Sequence, residues 1–198
     1  RLNRLITDVA KASRLDAELA LQETEPLNLA QLATGMVGVL SDIHCDEGRQ
    51  IKLHLHSGPA DAPSYIVSGH EIRLGQVLTN LIDNALSFSP EDGVVSVGVC
   101  RIGDEVVVTV DDEGPGIPPD RLDHVFKRFY SDRPQSDRTK GKNSGLGLSI
   151  SREIVLAHGG RIHAENRMAP AGSQAEDRLG PELKERRISG VIGARFVV

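Results

Sequence analysis

The sequence predicts an α+β fold, in which helices pack on one face of a mixed sheet. Helical and strand patterns are interspersed along 198 residues, a length that suits one domain or one domain with an appendage. Two alternating stretches, residues 94–100 and 105–110, flank the turn residues Gly103 and Asp104 as the arms of a β-hairpin. Because a hairpin is antiparallel, we expect a two-layer sandwich of a mixed, mostly antiparallel sheet and about three helices, and not a doubly wound parallel sheet.

The first element is an amphipathic helix over residues 1–22. Its apolar residues follow the spacing of a coiled-coil stripe, which Asp16 interrupts, and Pro26 prevents the helix from continuing. The helix begins without a capping residue, so we expect it to be the end of a longer helix. Residues 1–25 are therefore predicted to form a linking segment, and residues 26–198 the domain.

Three further helices are predicted within the domain. Asn28 is a candidate N-cap for a helix over residues 29–45, and residues 70–88 and 144–157 also have helical periodicity. A shorter helix is expected near residues 119–127. The residues predicted to face inward on the first helix are Leu32, Met36, Val39, Leu40 and Ile43.

Strands are predicted between these helices, where apolar and polar residues alternate. Besides the hairpin, they cover residues 51–56, 65–67, 161–164 and 191–198. Two segments lack a regular pattern. Residues 130–144 are polar, and residues 167–187 are charged with interspersed Gly and Pro, so we expect the latter to be a mobile insertion.

Composition argues against several classes of function. The net charge is −5, from 28 acidic and 23 basic residues, whereas nucleic-acid-binding domains usually have a basic excess. No apolar run approaches the roughly 20 residues that are needed to cross a bilayer. The two cysteines, Cys45 and Cys100, are too few for a metal or disulfide framework, and we expect both to be reduced.

One face of the 70–88 helix carries a row of polar residues. Asn80, Asn84, Ser87 and Phe88 lie at i, i+4, i+7 and i+8, and hence on one side of the helix. Asparagine is unfavourable inside a helix, and its carbonyl oxygen is a hard, neutral ligand suited to Mg²⁺ that also holds nucleotide phosphates. The alternative interpretation is a solvated polar face.

An acidic residue and two glycines follow the second hairpin strand, in the segment VTVDDEGPGIP. The strand delivers Asp112 to its end, where a carboxylate can accept a hydrogen bond from an exocyclic amine such as N6 of adenine. Gly114 and Gly116 allow the backbone to approach a flat ligand closely. The alternative is an ordinary Asp/Gly turn.

A second pair of glycines, Gly145 and Gly147, stands at the start of the 144–157 helix in the segment SGLGLS. Free N–H groups at a helix N-terminus lie at the positive end of its dipole, which suits a phosphate. The segment is neither a Walker loop, which needs Gly-Lys followed by Ser or Thr, nor a Rossmann turn, which must follow a strand.

The order of these motifs is more specific than any one of them. The chain resembles the catalytic, ATP-binding domain of bacterial sensor histidine kinases, which shares the Bergerat ATP-binding fold with Hsp90-type chaperones, gyrase-type topoisomerases and MutL-type repair ATPases. QVLTNLIDNALSFSP resembles the N box of the kinases, DDEGPGIP the G1 box, VFKRFY the F box, and SGLGLSISREIVLAHGG the G2 box. GARFVV resembles the closing strand, and residues 1–20 resemble the end of the second dimerisation helix.

The resemblance implies ATP and Mg²⁺ as cofactors. At the adenine end, Asp112 would accept a hydrogen bond from the exocyclic amine, and Phe88 would pack on the adenine or ribose. The residues that would lie beside the base are Gly114, Gly116 and Ile117. At the phosphate end, Asn84 would bind Mg²⁺ with Asn80 assisting. The residues that would line the phosphates and the pocket are Gly145, Leu146, Gly147 and Leu148.

The resemblance also implies a mobile ATP lid over residues 130–144. The candidate cations for the terminal phosphate are Arg128, Arg133, Lys140 and Lys142, and the alternative for each is a solvated surface charge. Three residues depart from the family pattern: Ser87 and Ser131 stand where Lys or Arg is frequent, and Asn143 stands where a lid Gly is frequent. These departures leave the phosphate-side cation unassigned.

The phosphoacceptor histidine of such a kinase is expected upstream of Arg1. Residues 70–73, His-Glu-Ile-Arg, imitate the start of the acceptor motif, but they lead into the N box and lack the Thr-Pro that follows in the family. His158 fits a structural turn. The implied partners are the chain's own dimerisation helices, in a homodimer, and the receiver domain of a response regulator, with no nucleic acid. The chain would be the cytoplasmic portion of a sensor anchored in the inner membrane.

Three alternatives stay open. ATP-hydrolysing relatives carry a Glu at the first N-box position, whereas Asn80 cannot act as a general base. A protein-serine kinase of the anti-sigma type would not explain the dimerisation-helix resemblance of residues 1–20. A degenerate nucleotide-sensing or dimerisation module would not need Asn84, Asp112 and both glycine boxes intact.

Overall fold

The computed structural model describes residues 24–44, 50–56, 65–130, 145–168 and 191–198. The helix predicted over residues 1–22, residues 131–144 of the predicted lid, and most of the predicted insertion lie outside these ranges.

A five-stranded sheet forms one layer of the domain. Its strands, in the order in which they lie side by side, are β2 (Gln50–His56), β4 (Val94–Ile102), β5 (Glu105–Asp111), β7 (Val191–Val197) and β6 (His163–Met168). β2 runs parallel to β4, and the other neighbouring pairs are antiparallel. Two short strands, β1 (Glu25–Asn28) and β3 (Ile66–Gly69), form a separate antiparallel pair. The predicted mixed, mostly antiparallel sheet is therefore confirmed.

Three α-helices in the described part of the chain form the second layer: α1 (Leu29–His44), α2 (Glu71–Phe88) and α3 (Gly147–Ala157). Asn28 caps α1 as predicted, because its Oδ1 accepts the backbone N–H groups of Ala30 at 3.0 Å and Gln31 at 3.2 Å. No helix among the described residues is long and apolar enough to cross a bilayer.

The core lies between the helices and one face of the sheet. The alternation of β4 turns Val95, Val97 and Val99 inward, and all three are completely buried. The helix α2 buries the apolar face that the sequence predicts, which consists of Leu74, Val77, Leu78, Leu81 and Ala85. Phe196 of β7 packs edge-on against Phe126 with ring centroids 6.3 Å apart, so the last strand is held against the F-box segment.

The structure corrects the inward face predicted for α1. Val39 and Ile43 are 57% and 61% exposed, whereas the prediction places them in the core. The residues of α1 that do enter the core include the small Ala33 together with Val37 and Leu40. The apolar pattern therefore runs wider than the stripe that the sheet and α2 cover.

Several element boundaries also differ from the prediction. The third helix begins at Gly147 rather than at residue 144, and β6 covers His163–Met168 rather than residues 161–164. The strand β6 therefore includes residues 167 and 168, which the sequence assigns to the insertion. The short helix expected near residues 119–127 consists of two 3-10 helices, Pro119–Arg121 and His124–Phe126.

Candidate functional site

Asp112 occupies a buried position directly after β5. Its side chain is only 3% exposed, and Oδ1 accepts the backbone N–H groups of Gly114 and Ala194, each at 2.9 Å. Within the described ranges, no hydrogen bond reaches Oδ2. Burial raises the pKa of Asp112 to about 6, although the two backbone N–H groups and the nearby Arg167 lower it in part. The carboxylate is thus held by one oxygen, and the other is available to a ligand.

The close approach of β7 fixes Asp112 in this place. The backbone N–H of Asp112 donates to the carbonyl oxygen of Ala194 at 2.9 Å, in addition to the contact that its side chain makes with the same residue. A Cβ on Gly193 would overlap the carbonyl oxygen of Asp112, so only glycine allows this approach. Gly193 in the closing strand is therefore needed for the close packing of this strand against Asp112.

The turn after Asp112 meets the C-terminal end of α2. A Cβ on Gly114 would lie 2.8 Å from the carbonyl oxygen of Phe88, so the two residues are in direct contact. Phe88 is partly buried at this junction. The structure therefore brings together the G1-box turn and the last residue of the N-box helix, as the assignment of both to the adenine end requires.

The far end of the same turn is held by Asn166 of β6, a residue that the sequence analysis missed. Its Oδ1 accepts the N–H of Ile117 at 2.8 Å, and its Nδ2 donates to the carbonyl oxygen of Ile117 at 2.7 Å. The predicted strand ends at residue 164, so no sequence signal marks Asn166; its place in β6 is visible only in the structure.

Asn80 links α2 to the start of α3. Its Nδ2 donates to the carbonyl oxygen of Gly147 at 3.1 Å and to Oγ of the completely buried Ser151 at 3.2 Å. The amide nitrogen of Asn80 is thus engaged in packing, and Oδ1 is the atom that could face a metal ion. The geometry therefore gives Asn80 a structural role through Nδ2, beside any ligand-binding role of Oδ1.

Asn84 lies one helical turn from both of these junctions. Its side chain is partly buried, and no described residue forms a hydrogen bond with it. From Asn80 to Phe88, α2 advances about 12 Å at 1.5 Å per residue. Asn84 therefore lies on α2 between the part of the site beside the start of α3 and the part beside Asp112.

The start of α3 supplies backbone N–H groups to this region. Gly147 is its first residue, and the preceding Leu146 is 2% exposed. Gly145, just before, accepts the N–H of Phe129 through its carbonyl oxygen at 3.1 Å, which joins the F-box segment to the G2 box. Leu148 packs against the core from the first turn. A helix N-terminus in this orientation favours an anionic group.

Of the four predicted phosphate-side cations, the structure describes Arg128. Arg128 forms an ion pair with Glu153 of α3, in which Nε and Nη2 lie 3.0 and 2.6 Å from Oε1. Arg133, Lys140 and Lys142 lie outside the described residues. The assignment of a phosphate-side cation therefore stays a prediction for all four.

The donor atoms near Asn84 fit a nucleotide-bound Mg²⁺ better than a metal held by the protein alone. The described residues contain no group of three or more His, Cys, Asp or Glu side chains that could hold a metal ion. A magnesium ion prefers oxygen ligands and usually takes only one or two of them from protein, the rest coming from phosphates and water. The amide oxygens of Asn84 and Asn80 match that requirement.

His158 takes part in a structural contact, as predicted. Its Nδ1 lies 2.7 Å from the carbonyl oxygen of Ile154, and its Nε2 accepts the backbone N–H of His70 at 3.1 Å. The hydrogen bonds thus define a neutral tautomer with the proton on Nδ1. His158 joins the end of α3 to the start of α2.

Comparison with known proteins agrees with this geometry. Residues 69–183 match the family described as histidine kinase-, DNA gyrase B- and HSP90-like ATPases. The chain therefore belongs to this family of ATPases, and within it corresponds to the catalytic ATP-binding domain of sensor histidine kinases.

The relatives are sensor proteins of greater length. The chain is 48% identical over 168 residues to the sensor protein ChvG of Agrobacterium fabrum, and 44% identical over 201 residues to ChvG of Rhizobium meliloti. These alignments cover 84% and 100% of this chain but only 28% and 32% of the relatives. The chain thus spans about a third or less of the length of these two relatives.

Solved structures share the fold. The nucleotide-free catalytic domain of histidine kinase ThkA has a TM-score of 0.66 at 24% identity, and covers 89% of this chain and 93% of its own. Full-length ShkA in complex with AMPPNP has a TM-score of 0.70 at 25% identity, and covers 99% of this chain and 35% of its own. The predicted fold class is confirmed.

Proposed function

We propose that this domain binds Mg-ATP and positions its γ-phosphoryl group for transfer to a histidine on the dimerisation helices of the same protein. Membership of the ATPase family implies that ATP is bound. The observation that carries the proposal is the geometry of Asp112, a buried carboxylate whose Oδ1 is held by two backbone N–H groups. The complex of ShkA with AMPPNP supports the same assignment, because that protein shares the fold.

At the adenine end, recognition rests on hydrogen-bond polarity. Two donors hold Oδ1 of Asp112, so Oδ2 can accept a hydrogen bond from the exocyclic amine of adenine. The turn from Gly114 to Ile117 lies beside the base, and Phe88 packs against it from the end of α2. A buried acceptor of this kind disfavours a purine with an oxygen at the same position, since two acceptors would then meet.

At the phosphate end, the chain supplies dipoles and amide oxygens. Asn84 binds the Mg²⁺ that accompanies the phosphates, and the N-terminus of α3, with Gly145, Leu146, Gly147 and Leu148, surrounds them. Bound Mg²⁺ supplies charge neutralisation to the transferring phosphoryl group. The family resemblance implies an ATP lid over residues 130–144, and the candidates for the cation that Ser87 does not supply are Lys140, Lys142 and Arg133 of that segment.

The same geometry favours transfer over hydrolysis. An asparagine amide cannot take a proton from water. Nδ2 of Asn80 also already donates hydrogen bonds to the carbonyl oxygen of Gly147 and to Oγ of Ser151. The attacking imidazole is then supplied by the dimerisation helices of the parent protein. A response regulator then receives the phosphoryl group, and the parent protein is a membrane-anchored sensor whose cytoplasmic part contains this domain.

Calorimetric titration with a non-hydrolysable ATP analogue tests the binding step. We expect binding to this chain that requires Mg²⁺ and that is lost in Asp112→Ala, because the exocyclic amine then has no acceptor. A matched control is Glu113→Gln, which removes a neighbouring negative charge while leaving the acceptor of the adenine amine in place. An Asp112→Ala variant that binds the analogue as tightly as the unaltered chain would refute the proposal.

A further inference from the structure

Asn166 and its partner on the neighbouring strand contact the two ends of the G1-box turn. In the β6–β7 register it lies directly opposite Ala194. The N–H of Ala194 holds Oδ1 of Asp112 at the start of the turn, and Asn166 holds both backbone polar groups of Ile117 at its end. One pair of opposed residues therefore fixes the two limits of the loop that lies beside the base.

The backbone between these limits is unusual. Gly116 has a φ of 83°, and a Cβ there would lie 2.9 Å from Oδ1 of Asn166 and would collide with Val191. The turn is thus pressed against β6 and β7, and the side chain of Asn166 supplies the hydrogen bonds that a neighbouring strand would supply in a regular ladder. Residue 166 is 49 positions away from Ile117, so no local preference of the turn sets this contact.

We propose that Asn166 is a positioning residue for adenine recognition: it holds the turn from Gly114 to Ile117 in the conformation that binds the base, without touching the nucleotide itself. The inference rests on the proposed function, because it assumes that the turn faces adenine. Without Asn166 the turn samples other conformations, and binding then carries the added cost of ordering it.

Two substitutions separate the two hydrogen bonds. Asn166→Ala removes both. Asn166→Asp keeps the acceptor for the N–H of Ile117 but places a carboxylate oxygen against the carbonyl oxygen of Ile117, where a donor stood. The matched control is His163→Ala, because His163 is an exposed residue of the same strand that pairs with Val197, away from the turn.

The experiment combines calorimetric titration of the whole chain with Mg-ATP and amide hydrogen exchange followed by NMR without nucleotide. We expect Asn166→Ala and Asn166→Asp to weaken ATP binding about tenfold, the effect of one net hydrogen bond, and His163→Ala to leave it unchanged. Exchange of the Ile117 amide should accelerate in Asn166→Ala, which removes its acceptor, while the amides of Val97 and Phe196 in the sheet keep their rates in both variants.

Each result has a defined meaning. Unchanged ATP affinity in both Asn166 variants overturns the inference, as does weaker affinity of Asn166→Ala without faster exchange at Ile117. Faster exchange at Val97 and Phe196 as well would show that Asn166 merely stabilises the fold, which also overturns it. Failure of the unaltered chain to bind ATP would refute the proposed function itself, and the inference would fall with it.

Discussion

Asp112, the proposed acceptor for the adenine amine, is also a buried charge that destabilises the fold. Its carboxylate is buried at the end of β5, and this burial raises its pKa from an ordinary 3.8 to about 6. The folded protein therefore binds a proton at this group that the unfolded chain has already released between those two pH values. The contribution of Asp112 to the free energy of unfolding falls as pH rises through that window. It stays lower above the window, because the ionised form is desolvated only in the folded state.

This linkage predicts how Asp112→Asn changes stability with pH. The variant has no charge to bury, so its stability relative to the unaltered chain should rise between pH 4 and pH 8 by up to about 3 kcal/mol, from about two pKa units at 1.36 kcal/mol each. Urea unfolding of both proteins across this range measures the difference, in which the other carboxylates cancel. A difference that is constant with pH would contradict the raised pKa.

The same substitution should alter base preference. Two N–H donors hold Oδ1 of Asp112, so the amide oxygen of the introduced asparagine takes that place and its NH₂ group replaces Oδ2. The NH₂ group then faces the amine of adenine, donor against donor. We expect ATP affinity to fall about 10- to 100-fold, since a hydrogen bond to a charged group is lost, while inosine triphosphate, which has an oxygen there, loses less. Competition titrations measure the ratio, and an unchanged ratio would exclude this polarity.

At the scale of elements, Asn80 joins two helices that carry different parts of the site. The N-box helix α2 and the G2-box helix α3 are tied by Nδ2 of Asn80, which donates to Gly147 and Ser151. His158 makes a second tie, from the end of α3 to the start of α2. The helix α3 is therefore fixed to α2 near both of its ends, which favours a preorganised site at its N-terminus.

We predict that Asn80→Ala costs about 1–2 kcal/mol of stability through the lost hydrogen bonds to Gly147 and Ser151. The matched control is Thr79→Ala, since the hydroxyl of Thr79 donates within α2, to the carbonyl oxygen of Gly75 at 3.0 Å. Both substitutions gain helix propensity, so the difference between them in urea unfolding reports the link between helices. Equal stabilities would mean that this link contributes nothing.

At the scale of the whole molecule, the domain should act only together with its dimerisation helices. The chain should bind ATP without labelling itself, because the histidine that imitates the acceptor motif, His70, is the N-cap of α2 and leads directly into the N box, and its backbone N–H donates to His158. We expect transfer from labelled ATP to a separately supplied dimerisation unit of the parent protein. Transfer should require Mg²⁺ and be lost in Asn84→Ala, where the metal loses its ligand.

Incubation of the chain alone with labelled ATP provides the control. Acid-labile label on the chain alone that disappears in His70→Ala would mean that the acceptor lies in this domain. The ion pair between Arg161 and Glu105 offers a neutral reference, since Arg161→Gln alters an exposed contact away from the site. That variant should transfer phosphate as the unaltered chain does.

Local sequence patterns were enough to predict the main elements and the motifs on them. The 70–88 helix and the hairpin follow from periodicity, and the cap at Asn28 follows from the residue type, because each depends on neighbours only a few positions away. The burial of the predicted face of α2 was correct for the same reason. The order of the N, G1, F and G2 boxes indicated the family, since each motif is a contiguous stretch of sequence.

Which groups meet across the site, by contrast, depends on the tertiary structure. Asn166 reaches Ile117 across 49 positions and Asn80 reaches Gly147 across 67, and no local pattern specifies such pairs. The exposure of Val39 depends on how wide a stripe of α1 the sheet can cover. Placement of β7 between β5 and β6 brings Ala194 to Asp112, because hydrogen bonding between distant strands, and not the preference of either strand, sets that contact.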